Sequence, residues 1–378
     1  MIKKNLQLVM ALLCISAMAV AQISYPPSGD NQKSEVTQWI GLVRVTINYS
    51  SPDVHGPNGE DRKGKIWGEL VHYGFIDQGF GTSKAAPWRA GANENTTISF
   101  SHDVKIGGKD VKAGKYGLFL EVEKEGPWTW ILSKDASSWG SYFYNPDLDV
   151  ARVQATPQES EYTEWLTYGF NDRQPNSTTA YLQWETKRAG FKIDVPNVNE
   201  LYVATMRDEM RGTTAGFQHE TYITAAGFSA QNKVDLEQGL QWADLAINDP
   251  FVGREDFSSL SAKAQVLTAM GRDAEAETVM DKAIKHPTSP VGAIHQYARS
   301  LLLAGKKEKA MEVFKYNYKT HPEDKFTPNV GLARGYTAIG DKKNAIKYWE
   351  QAIKNLPENQ KQNLTFYEGE LKKLKEGA

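Results

Sequence analysis

Ala264-Gln265-Val266-Leu267-Thr268-Ala269-Met270-Gly271-Arg272-Asp273-Ala274-Glu275-Ala276 decides how the second half of this chain is read. Its skeleton returns twice, as Ala298, Gly305 and Ala310, then as Ala333, Gly340 and Ala345. The glycines stand 34 and 35 residues apart, each with an alanine seven residues before it and another five after. Twelve residues after the glycine come Ala283 and Ala352, with Asn317 in the middle unit, and Pro287, Pro322 and Pro357 close the three units. A fixed period with glycine and proline as punctuation predicts paired helices stacked into an array. The small residues let two helices approach closely, while Met280, Phe314 and Trp349 fill the space between neighbours.

This spacing resembles the tetratricopeptide repeat: one helix, a tight turn, a second helix, and a proline-marked turn. An earlier unit, Glu220 to Phe251, keeps Gly239, Trp242, Ala246 and Pro250 without a turn glycine. About four repeats are therefore expected over 220–359, with a charged capping helix over 360–378. Asn317, larger and polar, is expected to loosen the contact in its unit. The resemblance implies a groove for a protein partner, and its groove positions fall on Gln265, Arg299 and Arg334, with His295 one turn earlier. Two arginines on adjacent helices suit a carboxylate. The Lys and Asn of the family's carboxylate clamp are missing from these positions.

Eight of the ten tryptophans precede residue 190, so the front half is a different kind of domain. Val43, Val45, Ile47 and Tyr49 alternate with Arg44, Thr46 and Asn48, the period-two pattern of a half-buried strand. Thr96 to Ile106 alternates too, and Gly107-Gly108 supplies a hairpin turn. Tyr116 to Val122, Trp128 to Leu132, Ala180 to Trp184 and Phe191 to Val195 repeat the pattern. The expected architecture is an antiparallel β-sandwich, jelly-roll-like, over 22–196. A linker helix over 197–219 then leads into the all-α solenoid.

Lys3 and Lys4, an apolar run from Leu6 to Val20, and Ala19-Val20-Ala21 have the layout of a signal peptide cleaved after Ala21. The run is short for a membrane span of about 20 residues. The expected location is periplasmic or secreted, with no integral membrane segment after cleavage. Cys14 is the one cysteine of the 378 residues and lies inside the leader, which excludes a disulfide scaffold and a thiolate zinc site. A formal charge of −2 gives no footprint for nucleic acid.

Unusual residues cluster at Ser51 to Pro57, Lys65 to Val71, Trp88 to Thr97, Gly107 to Leu120 and Trp139 to Tyr142. The Trp88-Arg89-Ala90-Gly91-Ala92-Asn93-Glu94 run and the Lys112-Ala113-Gly114-Lys115-Tyr116 hairpin resemble the family called domain of unknown function 2911 over roughly 25–195. That resemblance implies an exported bacterial β-domain, often of Bacteroidetes type, with no activity to carry over. An insertion, Phe75 to Pro87, departs from the family's pattern just before Trp88.

Arg89, Asn93 and Glu94 on one loop and His55 on another would form a polar site rimmed by Trp67 and Trp88. Aromatic faces beside carboxylate, amide and guanidinium groups suit a sugar or small anion. Alternatively Arg89 and Glu94 pair and pin the loop. Glu94 and His55 are the candidate proton-transfer groups of an enzyme. His55, His72 and His102 lack metal-ligand spacing, so neither metal nor cofactor is expected. The expected function is binding and scaffolding: the solenoid engages a protein partner and the β-domain a small ligand, glycan or envelope component. The alternative is a hydrolase acting on an envelope glycan or ester.

Overall fold

The computed structural model describes residues 28–376, and the expected leader lies outside them. The alternating runs become β1 (Gln32–Ile40), β2 (Val43–Ser51), β3 (Thr97–Phe100), β4 (Val104–Ile106), β5 (Lys109–Val111), β6 (Gly114–Glu121) and β7 (Trp128–Ser133). They are followed by β8 (Asp149–Ala155), β9 (Gln158–Gln174) and β10 (Ser177–Asp194). Two antiparallel sheets result, one in the order β1-β2-β3-β6-β7-β8, the other β5-β4-β10-β9. Ile47, Ile98, Leu118 and Leu120 of the first sheet and Leu182, Trp184 and Ile193 of the second are removed from water. Trp130 of β7 ties the sheets together, its ring 5.2 Å from Phe191 and 6.2 Å from Tyr168.

Two sequence patterns divide differently in space. The alternation from Thr96 to Ile106 serves both sheets, because Ser101 to Asp103 carries the chain from β3 in one to β4 in the other. Conversely, the runs beginning at Ala180 and Phe191 belong to one strand, β10, which ends at Asp194. Its bend lies at Glu185, where φ is +53° and the pairing with β9 shifts register. A bulge of this kind lets a long strand curl and keep its inward face.

A second compact unit begins at Asn199. Its helices are α1 (Val198–Glu209), α2 (His219–Asn232), α3 (Leu236–Asn248), α4 (Phe257–Ala269), α5 (Asp273–Lys285), α6 (Val291–Leu303), α7 (Lys307–Thr320), α8 (Thr327–Ala338), α9 (Lys342–Lys354) and α10 (Leu364–Glu376). Consecutive helices α2/α3, α4/α5, α6/α7 and α8/α9 pack as pairs. Gly271, Gly305 and Gly340 take left-handed φ values of 75°, 77° and 80° at the turns within the last three pairs. The next residue then donates back to the helix, as Arg272 N to Leu267 O at 2.8 Å and Lys306 N to Leu301 O at 2.9 Å. That satisfies a carbonyl the helix end would otherwise leave open. In the first pair Lys233 adopts φ +51° and does the glycine's work, with Val234 N bonded to Ser229 O.

The structure departs from two expectations. Asn317 is fully buried, and its amide donates to Val291 O at 3.0 Å, so it fastens α7 to α6 rather than loosening them. Helix α1 is no mere linker: Val203 is buried with Ala226, Val234 and Trp242, making α1 part of the helical core. Helix α10 closes the far end through Tyr367, which packs 5.9 Å from Trp349. Among the described residues, no helix is long and apolar enough to cross a membrane.

Candidate functional site

Helical periodicity places His295 and Arg299 one turn apart on α6, and the stacking of α8 beside it brings Arg334 to them. Small residues allow the approach: Gly331 and Gly335 of α8 lie so close to Phe314 and Met311 that a Cβ would stand 2.6 Å from either. Arg334 rests over Trp349 and Phe366, 5.8 and 5.6 Å from their ring centres. Arg299 donates to Gln296 Oε1 at 3.2 Å. Among the described residues neither arginine has a carboxylate within ion-pair distance.

The electrostatics of this cluster are unbalanced. Burial pushes His295 down to about 4, and the charges of Arg334 and Arg299 act in the same direction, against Asp324. Burial also lowers Arg334, with Arg299 adding to the effect. His295 Nδ1 and Arg334 Nε are buried with no hydrogen-bond partner among the described residues. Such atoms carry a desolvation cost that an incoming hydrogen-bond partner would relieve. Gln265 stands apart from the three: it contacts Ser261 and, with Gln296 and Ser300, lines a groove of about 1050 Å³. Arg299 adjoins that groove through Gln296.

The β-domain residues do not converge as expected. His55 is engaged by Glu164, whose Oε1 accepts from the His55 backbone N–H at 2.8 Å and lies 2.9 Å from Nδ1. Tyr162 donates to the other oxygen. Burial alone would raise Glu164, yet the Tyr162 and His55 donors hold it down to about 2. The hydrogen bond to Glu164, with its charge, raises His55. Glu164 lies on a long strand with no motif around it, so only the sheet pairing reveals it.

Arg89 and Glu94 do not pair. Arg89 donates to Asn93 O at 2.7 Å, stacks over Tyr142 at 5.0 Å and presses on Gly140, where a Cβ would fall 2.1 Å from its Cζ. The Phe75–Pro87 insertion packs beside it, Phe80 lying edge-on to Tyr142 and Ser83 N bonding Tyr142 O. Asn93 takes φ +56° and donates to Ser28 O. Glu94 binds Lys33 at 2.7 Å and accepts from Ser50 Oγ at 3.2 Å. Partial burial raises its carboxyl, but Lys33 and the hydrogen bonds outweigh this and leave it below the usual carboxylate range.

The aromatic rim is core. Trp88 stacks on Trp184 at 6.2 Å and meets Trp67 edge-on at 5.9 Å, while Trp67 lies 4.7 Å from Trp128. Trp88, Trp128 and Trp184 are buried and Trp67 is half-buried, which leaves no open platform. Sequence alternation marks such tryptophans as inward-facing but does not say whether a ligand or another ring meets them.

What Glu94 does border is a polar pocket of about 290 Å³ shared with Lys33, Ser50, Asn95, Lys115 and Ser138. The β1–β2 register sets Lys33 opposite Ser50, and both reach Glu94. This pairing was hidden in the sequence, because nothing local signals β1's partner. Residues 31–193 match the family described as protein of unknown function (DUF2911). No curated protein matches the chain.

Proposed function

We propose that this is an exported binding and scaffold protein whose helical unit, a tetratricopeptide-like solenoid, docks an acidic segment of a protein partner. One observation carries the reading: Arg299, Arg334 and His295 meet on two neighbouring helices, the arginines unpaired with carboxylates and Arg334 Nε and His295 Nδ1 lacking hydrogen-bond partners among the described residues. The two arginine charges repel each other, and an anionic guest turns that repulsion into attraction. Two arginine forks on neighbouring helices match side-chain carboxylates. The 34- and 35-residue spacing and the repeated left-handed glycine turns support the repeat assignment. The β unit takes a small polar ligand at the Glu94 pocket.

A glutamate-rich decapeptide is expected to bind the full chain, and its glutamine counterpart to bind much more weakly. Arg299→Glu with Arg334→Glu is expected to weaken the acidic peptide at least roughly tenfold, since hydrogen bonds to charged groups contribute about 1.5–3 kcal/mol. Fluorescence anisotropy at two salt concentrations reads both effects. Equal affinity for the two peptides, or no change in the double variant, would remove the docking role. Export rests on Lys3, Lys4 and the apolar run before Gln22. N-terminal sequencing of the protein from its host should read Gln22 first, and a mature chain starting at Met1 would contradict it.

A further inference from the structure

We infer that the Glu94 pocket takes a single sugar ring carrying a carboxylate, a uronic acid. This deepens the small-ligand part of the proposed function and rests on it.

Size comes first. Ligand sites commonly enclose roughly 300–1,000 Å³, and a pocket of about 290 Å³ lies at the small end, suited to one ring rather than a chain. Polarity comes next. Asn95 is only 8% exposed, lines the pocket, and its side-chain oxygen is buried without a partner among the described residues. Its amide nitrogen meanwhile donates to Asp135 O, which fixes the side chain. An orphaned acceptor in a polar cavity calls for a donor from the guest. Around it stand Ser50, Thr97 and Ser138 hydroxyls and the Lys33–Glu94 ion pair, a mixture of donors and acceptors. Sugar hydroxyls donate and accept at once, and so satisfy such a wall where a simple anion or an apolar ligand would not.

Charge selects among sugars. Glu94 balances Lys33, whereas Lys115 has no carboxylate within ion-pair distance among the described residues. The pocket therefore carries a net positive charge, which favours a ring bearing one negative group.

Isothermal titration of the full chain with D-glucuronate, D-galacturonate, their neutral hexoses and acetate tests this. Saturable binding of a uronate is expected, with its neutral counterpart at least roughly tenfold weaker and acetate silent. Lys115 is exposed, so Lys115→Met should keep the fold; it is expected to abolish the preference for the uronate over the hexose. The assignment fails if no uronate binds, if acetate competes equally, or if Lys115→Met leaves the preference intact. Arg299→Glu with Arg334→Glu should leave uronate binding unchanged, and its loss there would place the sugar elsewhere. Acidic-peptide binding that persists in Lys115→Met separates a failure here from a failure of the solenoid's docking role.

Discussion

Trp88→Ala is expected to destabilise the β unit by about 3–5 kcal/mol, the usual cost of deleting a large aromatic side chain from a packed core. The ring is 8% exposed, stacked on Trp184 and edge-on to Trp67, while its backbone pairs with Leu120 in both directions. Alanine would leave a void walled by Trp67 and Trp184, and Trp184 is held in β10 and cannot collapse into it. Denaturant unfolding followed by near-UV circular dichroism reads the loss. Trp139→Ala, at an exposed position, is expected to stay within about 0.5 kcal/mol of the parent. If Trp88 instead formed a ligand platform, its removal would weaken ligand binding with little effect on the unfolding midpoint. That outcome would overturn the reading of the four-tryptophan cluster as core.

The helical unit is expected to lose stability as the pH falls from 6.5 towards 4, with His295 as the main source. Its folded value, about 4, lies below the ordinary 6.5. Between those two points the unfolded chain binds a proton that the native chain does not, so acidification favours unfolding. The loss begins below the unfolded value and levels off below the folded one. At about 1.36 kcal/mol per pH unit, the full effect is about 3 kcal/mol. Burial is the leading cause, and Arg334 and Arg299 add to it while Asp324 opposes. Arg334→Met should therefore raise the histidine's midpoint, and bound acidic peptide should raise it further. Titration of the imidazole by NMR, with denaturant melts at pH 7, 5 and 4, measures both. A midpoint near 6.5, or equal stability across that range, would sink the buried-cation account.

The two-domain plan was legible because hydrophobic period and turn chemistry are local. Val43 to Tyr49 alternates whatever it pairs with, and Gly271, Gly305 and Gly340 mark left-handed turns on their own. The clustering of His295, Arg299 and Arg334 was partly legible for the same reason. Once helices stack at a constant period, Gln265, Arg299 and Arg334 fall at corresponding levels with His295 one turn earlier, and the structure brings His295, Arg299 and Arg334 together. Gln265, one repeat earlier, remains on the groove wall.

The β-domain site was not legible in this way. Arg89, Asn93 and Glu94 are close in sequence, yet a loop with positive φ at Ala90 and Asn93 sends their side chains to different partners. Arg89 turns to Tyr142, Asn93 to Ser28, and Glu94 to Lys33 and Ser50. His55, in another loop, is taken by Glu164, a residue 109 positions away.

The sequence by itself therefore determined the order of domains, the inward face of the strands, the turns of the helical pairs and the level at which Arg299 and Arg334 lie. Each follows from backbone periodicity or from a residue's own conformational limits. Tertiary structure alone decided that the tryptophans pack against one another, that Asn317 ties two helices, and that Glu94 pairs with Lys33 in the wall of a polar pocket. Those outcomes depend on which distant strand or helix supplies the neighbour, and burial then decides whether a side chain packs, pairs or stays free to bind.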